Sequence, residues 1–187
     1  MNRGHKSAVA LAHQFIANAL PENGVAVDAT AGNGNDTVFL AEKMPKGTVY
    51  SFDIQPEALA QTKVLLEKQG LSNVKLIHDG HQNIDSHLSG PVDAAMFNLG
   101  YLPKGDHSIT TKPDNTVVAL DKVTKMLKVG GRISLIVYTG HPGGLDELMA
   151  VENYLSGLDS LSYWVTGLKF INRPPTAPVS FFVERVI

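Results

Sequence analysis

The sequence predicts an α/β fold: a seven-stranded, mostly parallel sheet, helices on both faces, and an antiparallel hairpin at the C-terminal end. Three observations predict it. Short apolar runs alternate with segments of helical period almost from end to end. The first three runs each close on or beside a carboxylate: Asp28, Asp53 and Asp79. The last two β-rich runs have no helix between them. Strands separated by helices require right-handed crossovers and hence a parallel sheet, whereas two runs joined by a turn lie antiparallel.

The elements follow in order. Apolar residues at 8, 11, 12, 15, 16 and 19 mark an amphipathic helix, stopped by Pro21 and Gly24. Val25 to Asp28 reads as a buried strand, Gly34 to Met44 as a helix, and Thr48 to Asp53 as the second strand. Pro56 suits a first helical position, and that helix runs to Gly70, a natural C-cap. Val74–His78 and Val92–Phe97 are the third and fourth strands. Asp114 is the expected N-cap of a helix ending at Gly130-Gly131. Arg132–Tyr138 is the fifth strand, with a helix from about Gly144 to Ser156. Tyr163–Ile171 and Val179–Ile187 form the hairpin, joined by Arg173-Pro-Pro-Thr-Ala-Pro178. No repeat or linker interrupts the pattern, so a single domain over residues 1–187 is expected, with 1–23 as an N-terminal helical segment.

Composition narrows the function. The chain has 187 residues and no cysteine, which excludes disulfide frameworks, thiol catalysis and cysteine-built zinc sites. Sixteen Lys and Arg against eighteen Asp and Glu leave a net charge of −2, so any grip on nucleic acid has to be local. No signal peptide or membrane span is visible, which places the expected location in the cytoplasm. His5, His13 and His81 fit no zinc-ligand spacing, and no metal is expected; solvent-exposed or cofactor-lining roles suit them better.

Ligands of open α/β sheets bind beyond the carboxyl ends of the strands. The first strand runs into Asp28-Ala-Thr30-Ala-Gly32-Asn33-Gly34-Asn35-Asp36-Thr37, a turn with two glycines leading into a helix. Asp53 follows Gly32 by 21 residues, a spacing at which a carboxylate takes the hydroxyls of a ribose. Ile54 and Gln55 continue from it. Asp79, Gly80 and His81 at the third strand's end are placed to face an adenine. A dinucleotide fingerprint wants a small third residue where Thr37 stands, and a carboxylate such as Asp28 opposes a pyrophosphate while suiting a cation. S-adenosylmethionine, with an ammonium, a sulfonium and no phosphate, is therefore the favoured cofactor, with the Asp28–Asn35 loop around its methionine part.

VDATAGNGNDT together with Asp53 resembles motifs I and II of the class I S-adenosylmethionine-dependent methyltransferases, whose fold is Rossmann-like. More narrowly, Asn98-Leu-Gly-Tyr-Leu-Pro103, Gly105-Asp-His-Ser-Ile-Thr-Thr111 and Tyr138-Thr-Gly-His-Pro-Gly143 resemble a small bacterial family labelled "putative rRNA methylases". Its members are similar to an enzyme that methylates the 5-aminomethyl group of wobble uridine 34 in tRNA. The resemblance spans about residues 5–187 and implies S-adenosylhomocysteine as the product and a tRNA anticodon stem-loop as the partner. Lys104 and the Pro-rich turn at 174–178 depart from the family pattern.

For such a reaction Asn98, with a neighbouring backbone carbonyl, would accept the amine's hydrogens and aim its lone pair, while Tyr101 would stack on the flipped-out base. Asn98 also borders the cofactor. His107, Asp106 and His141 could take the ammonium proton, or water could. Arg3, Lys6, Lys104, Lys112 and Arg173 are candidates to ring the cleft mouth and meet an RNA backbone. A sheet edge or exposed helix could support a homodimer. Other readings stay open at this point: an rRNA or small-molecule N-methyltransferase, a nicotinamide-dependent oxidoreductase, and a non-catalytic RNA-binding module.

Overall fold

The computed structural model describes residues 7–102 and 109–187. Among the described residues, seven strands form one sheet in the order β3-β2-β1-β4-β5-β7-β6. They are β1 (Val25–Asp28), β2 (Thr48–Asp53), β3 (Val74–His78), β4 (Val92–Leu99), β5 (Leu127–Val137), β6 (Tyr163–Leu168) and β7 (Val179–Arg185). Strands β1 to β5 pair in parallel, while β7 is antiparallel to both β5 and β6. Six strands thus run one way and β7 alone runs against them, as the sequence predicts.

The central strands are apolar because both faces are covered. All but one residue of β4 are buried, the mark of an interior parallel strand. On one face lie α1 (Ala8–Ala17) and α2 (Asn35–Lys43), which close a core of Ala12, Ile16, Leu40 and Met44 against Ala26, Val49 and Met96. Helix α3 (Pro56–Gln69) packs beside α2 and against β2 and β3. On the other face, α4 (Ile84–His87), α5 (Pro113–Met126) and α6 (Gly144–Ser156) bury Ile84, Leu120, Val123 and Val151 with Phe52, Phe97 and Leu135. Local signals set the ends: Ser7 Oγ accepts from Ala10 N at 3.1 Å to cap α1, Pro56 and Pro113 open α3 and α5, and Gly70 ends α3 at φ 68°.

The bounds of α5 and β5 differ from expectation: Lys112, not Asp114, is the N-cap of α5, Pro113 is its first residue, and Asp114 lies within its first turn. Helix α5 stops at Met126, and Gly130-Gly131 lies inside β5 instead of ending the helix. Gly130 takes φ 78° next to the register shift between Val92 and Ala94, so the glycine serves a kink in a strand. The short helical stretch from His81 through α4 carries too few residues for a period to show. Among the described residues, no helix is long and apolar enough to cross a membrane.

Sequential strands lie side by side on each flank, and the order reverses between β1 and β4. Ligands bind at such a switch point, beyond the carboxyl ends of the strands.

Candidate active site

A cavity of about 820 Å³ opens there, bordered by Ala29 to Asn33 after β1, Asp53 to Gln55 after β2, Asp79 to Gln82 after β3, and Asn98 at the end of β4. Tyr101, Leu102, Lys112, Tyr138 and His141 form the opposite wall, and Thr176 from the hairpin turn reaches its rim. This size sits at the upper end of ~300–1,000 Å³ for ligand sites, enough for a nucleoside cofactor and part of a second group.

Asp53 is fixed through both carboxylate oxygens. Its Oδ2 accepts from Gly32 N at 2.9 Å and its Oδ1 from Gln55 N at 2.9 Å. Each oxygen keeps a lone pair for a further donor, the arrangement a ribose diol needs. Gly34 caps α2 at φ 79°, and a Cβ there would stand 2.9 Å from Thr62 Oγ1, so the turn both requires and tolerates only glycine.

Asp79 is kept ionised. His87 first, then Asn83, hold its carboxyl below the usual range, with Gly80 N contributing a further hydrogen bond at 2.7 Å. His81 is buried; its Nδ1–H donates to Ala29 O at 3.1 Å, since a carbonyl can only accept. Burial lowers its pKa, so the ring stays neutral and Nε2 carries a lone pair. That Nε2 is buried without a hydrogen-bond partner among the described residues, in the wall beside Asp79. It suits an amino group of a bound base.

The expectation for Asp28 needs correcting. It is fully buried, paired in the sheet with Ser51 and Met96, and absent from the cavity wall. Its carboxyl accepts from Thr30 N at 3.1 Å and Thr37 Oγ1 at 2.5 Å, and burial followed by the Asp36 charge pushes its pKa up to about 7. Gly34 and Thr37 stand behind the loop with it, and neither borders the cavity. The side chain of the last residue in β1 is directed into the layer between sheet and α2, where Thr37 meets it. Asp36, within the first turn of α2, is the carboxylate of this loop that reaches the cavity.

Asp36 fixes Asn98. Its Oδ2 receives Asn98 Nδ2 at 2.5 Å, and its Oδ1 receives His13 Nε2 at 2.6 Å. A carboxylate cannot donate, so the amide nitrogen must face Asp36 and the amide oxygen must face away. Asn98 Oδ1 is buried and unpartnered among the described residues. The backbone N of Asn98 donates to Thr30 Oγ1 at 2.8 Å, tying β4 to the β1 loop. The neighbouring carbonyls are engaged elsewhere: Leu99 O accepts from Tyr138 N at 2.9 Å and Gly100 O from Thr111 N at 2.8 Å.

Tyr101 and His141 meet edge to face at 5.6 Å. His141 Nδ1–H donates to Pro142 O at 2.9 Å, and Nε2 is buried and unpartnered among the described residues. Tyr138 has its pKa raised by burial and then by Asp36, so it stays a phenol. His107, Asp106 and Lys104, with Arg3 and Lys6, lie outside the described residues. Lys112 and Arg173 are both exposed, Lys112 in the cavity wall and Arg173 in the same turn as Thr176. His13, expected at the solvent or against a cofactor, instead bonds Asp36 and stacks on Phe39 at 3.9 Å. Sequence reading did not single out Tyr138, Thr111 or Val9 of the wall. Thr111 and Tyr138 close and open two of the quoted motif segments without having been given a role, and Val9 lies in no motif.

Residues 49–184 match the family described as "Putative rRNA methylase". The chain belongs to this family. It is 38% identical to "tRNA (mnm(5)s(2)U34)-methyltransferase, chloroplastic" of Arabidopsis thaliana, across 96% of this chain and 70% of that protein. Its fold superposes on the crystal structure of a "putative rRNA-methylase" from Clostridium thermocellum with TM-score 0.94 and 42% identity, covering 97% of this chain and 99% of that one. A putative methyltransferase from Streptococcus mutans, solved in complex with SAH, gives TM-score 0.89 and 39% identity, covering 97% of this chain and 99% of that one. The methylase is thus an S-adenosylmethionine-dependent methyltransferase, and its cavity fits that group. Asp53 would offer two acceptors to the ribose, His81 an acceptor to the base, and the carboxylates of Asp36 and Asp79 would face the cationic part.

Proposed function

We propose that the methylase acts on tRNA and methylates the nitrogen of an aminomethyl group on wobble uridine 34. The observation that carries this reading is the pinned amide of Asn98, which presents an acceptor oxygen and keeps its donor turned away. An amine nucleophile has N–H bonds to give; a hydroxyl oxygen or a ring carbon offers fewer or none. The name of the Arabidopsis relative, a U34 methyltransferase, supports the same substrate class.

In this reading S-adenosylmethionine supplies an electrophilic methyl group on its sulfonium. Asp53 binds the ribose, His81 and the Asp79–Gly80 turn hold the base, and the loop from Thr30 to Asp36 holds the cationic tail. Asn98 Oδ1 accepts an amine N–H and so turns the nitrogen lone pair toward the methyl. Because Leu99 O and Gly100 O are already hydrogen-bonded, Asn98 Oδ1 is the principal acceptor at this strand end. Positioning of both reactants by the whole site is worth about 7–11 kcal/mol in favourable cases, of which one acceptor carries a fraction. In this reading His141, whose Nδ1 is engaged by Pro142 O, takes at Nε2 the proton that an alkylammonium must lose before it attacks. Tyr101 and Tyr138 give the pyrimidine flat surfaces, and Lys112 and Arg173 meet the anticodon-loop backbone.

The test is nucleoside mass spectrometry on tRNA bearing 5-aminomethyl-uridine, incubated with the protein and S-adenosylmethionine. The expected product is the 5-methylaminomethyl nucleoside, with Asn98→Ala slower by about 10²-fold in kcat at unchanged affinity for S-adenosylhomocysteine. Methyl groups appearing only on ribosomal RNA, or Asn98→Ala turning over like the parent, would overturn the reading.

A further inference from the structure

The contact between α1 and α2 carries an inference that rests on the role given to Asn98 above. We infer that His13 is a positioning residue: through Asp36, it keeps the Asn98 amide oxygen turned toward the reacting nitrogen. His13 does not border the cavity, so it cannot touch substrate or cofactor itself.

The chain of contacts is continuous. His13 Nε2–H donates to Asp36 Oδ1 at 2.6 Å, and Asp36 Oδ2 receives the Asn98 amide at 2.5 Å. The Asp36 side chain is only 5% exposed, so its charge is tolerated there because both oxygens have donors. The imidazole lies flat on Phe39, 3.9 Å between centroids and 5° between planes, and Ala8, Ala12 and Ile16 bury the inner face of α1. Ring stacking and helix packing hold Nε2 at the carboxylate.

Removing the His13 donor leaves one buried carboxylate oxygen unmatched. The carboxylate, no longer held at Oδ1, can turn away from the position that fixes Asn98 Nδ2. The amide is then free to flip and to present NH₂ where an acceptor is required. A second donor facing the amine would hold its lone pair away from the methyl. The loss should therefore appear in kcat, with cofactor affinity spared.

The experiment compares His13→Phe, which keeps the stack on Phe39 and deletes the donor, with His13→Gln, which keeps a donor. We expect His13→Phe to lower kcat by about tenfold to a hundredfold, His13→Gln to recover part of that loss, and both to keep S-adenosylhomocysteine affinity within about twofold by calorimetry. In an Asp36→Asn background His13→Phe should cost little more, because the intermediary is gone. The side-chain amide resonances of Asn98, assigned by their disappearance in Asn98→Asp, should shift in His13→Phe. Parent-like kcat in His13→Phe, unmoved Asn98 resonances, or equal losses in kcat, cofactor affinity and thermal stability would each overturn the inference. Impaired Asn98→Ala with parent-like His13→Phe sinks the relay alone, whereas parent-like Asn98→Ala sinks the function reading first.

Discussion

Replacing Asp28 by Asn should change how the stability of the protein depends on pH. The folded state raises this carboxyl from 3.8 to about 7, chiefly because β1, β2 and α2 enclose it. Between those two values the unfolded chain has released the proton and the folded chain still holds it. Unfolding then releases a proton, so stability falls as pH rises from about 4 to about 7, and levels off above. At ~1.4 kcal/mol per tenfold change in proton affinity, the ceiling on this loss is about 4 kcal/mol. Asn is a neutral isostere of the protonated carboxyl: it can accept from Thr30 N and donate to Thr37 Oγ1, which then donates to Ser51 Oγ, 2.7 Å away. Asp28→Asn should match the parent near pH 4.5 and exceed it at pH 8. For a chain of this size about 2–4 °C of Tm accompanies each kcal/mol, so a difference approaching 10 °C is expected at pH 8. Circular dichroism melts of both proteins from pH 4.5 to 8.5 read it directly, and taking the difference cancels His81 and Asp79, which titrate in both. Curves that stay parallel across the range would refute the reasoning.

The other predictions concern ligands. Asp53→Ala removes both acceptors for the ribose and strips Gly32 N and Gln55 N of their partner; calorimetry with S-adenosylhomocysteine should show about 10²-fold weaker binding, since hydrogen bonds to charged groups are worth ~1.5–3 kcal/mol each. Unchanged affinity would remove the cofactor from this site. Lys112→Glu with Arg173→Glu should weaken tRNA binding and flatten its salt dependence, the log–log slope falling by roughly 1.4 if both cations meet a single-stranded backbone. A slope like the parent's would take these two out of the interface.

Much of the fold and the site could be read from residue pattern because it is local. Pro56 and Gly70 bound α3, and the carboxylates at strand ends locate the cavity before any coordinates do. Gly130-Gly131 misleads because a glycine pair stops a helix and kinks a strand equally well; the bulge that decides between them depends on pairing with β4. Asp28 and Asp36 illustrate the same limit. Both are acids flanking a glycine turn, and only the layer between sheet and helix determines which one is sealed in. The bond between His13 and Asp36 spans 23 residues and depends on α1 lying across α2, which no spacing rule encodes.

The position of β7 has a consequence for biosynthesis. It is the last strand in the sequence, yet it lies inside the sheet, between β5 and β6. Until it is in place, β6 has no neighbour to pair with, and β5 keeps an open edge along the stretch from Arg132 to Val137. That stretch leads directly to Tyr138 and the cavity wall. On the ribosome, the sheet can therefore close only after nearly the whole of this sequence has emerged. A chain clipped ahead of Val179 would leave two sticky edges and a site with an unsupported wall. The late strand makes closure of the sheet wait on the last β segment of this sequence, and a chain cut short of it keeps those edges open.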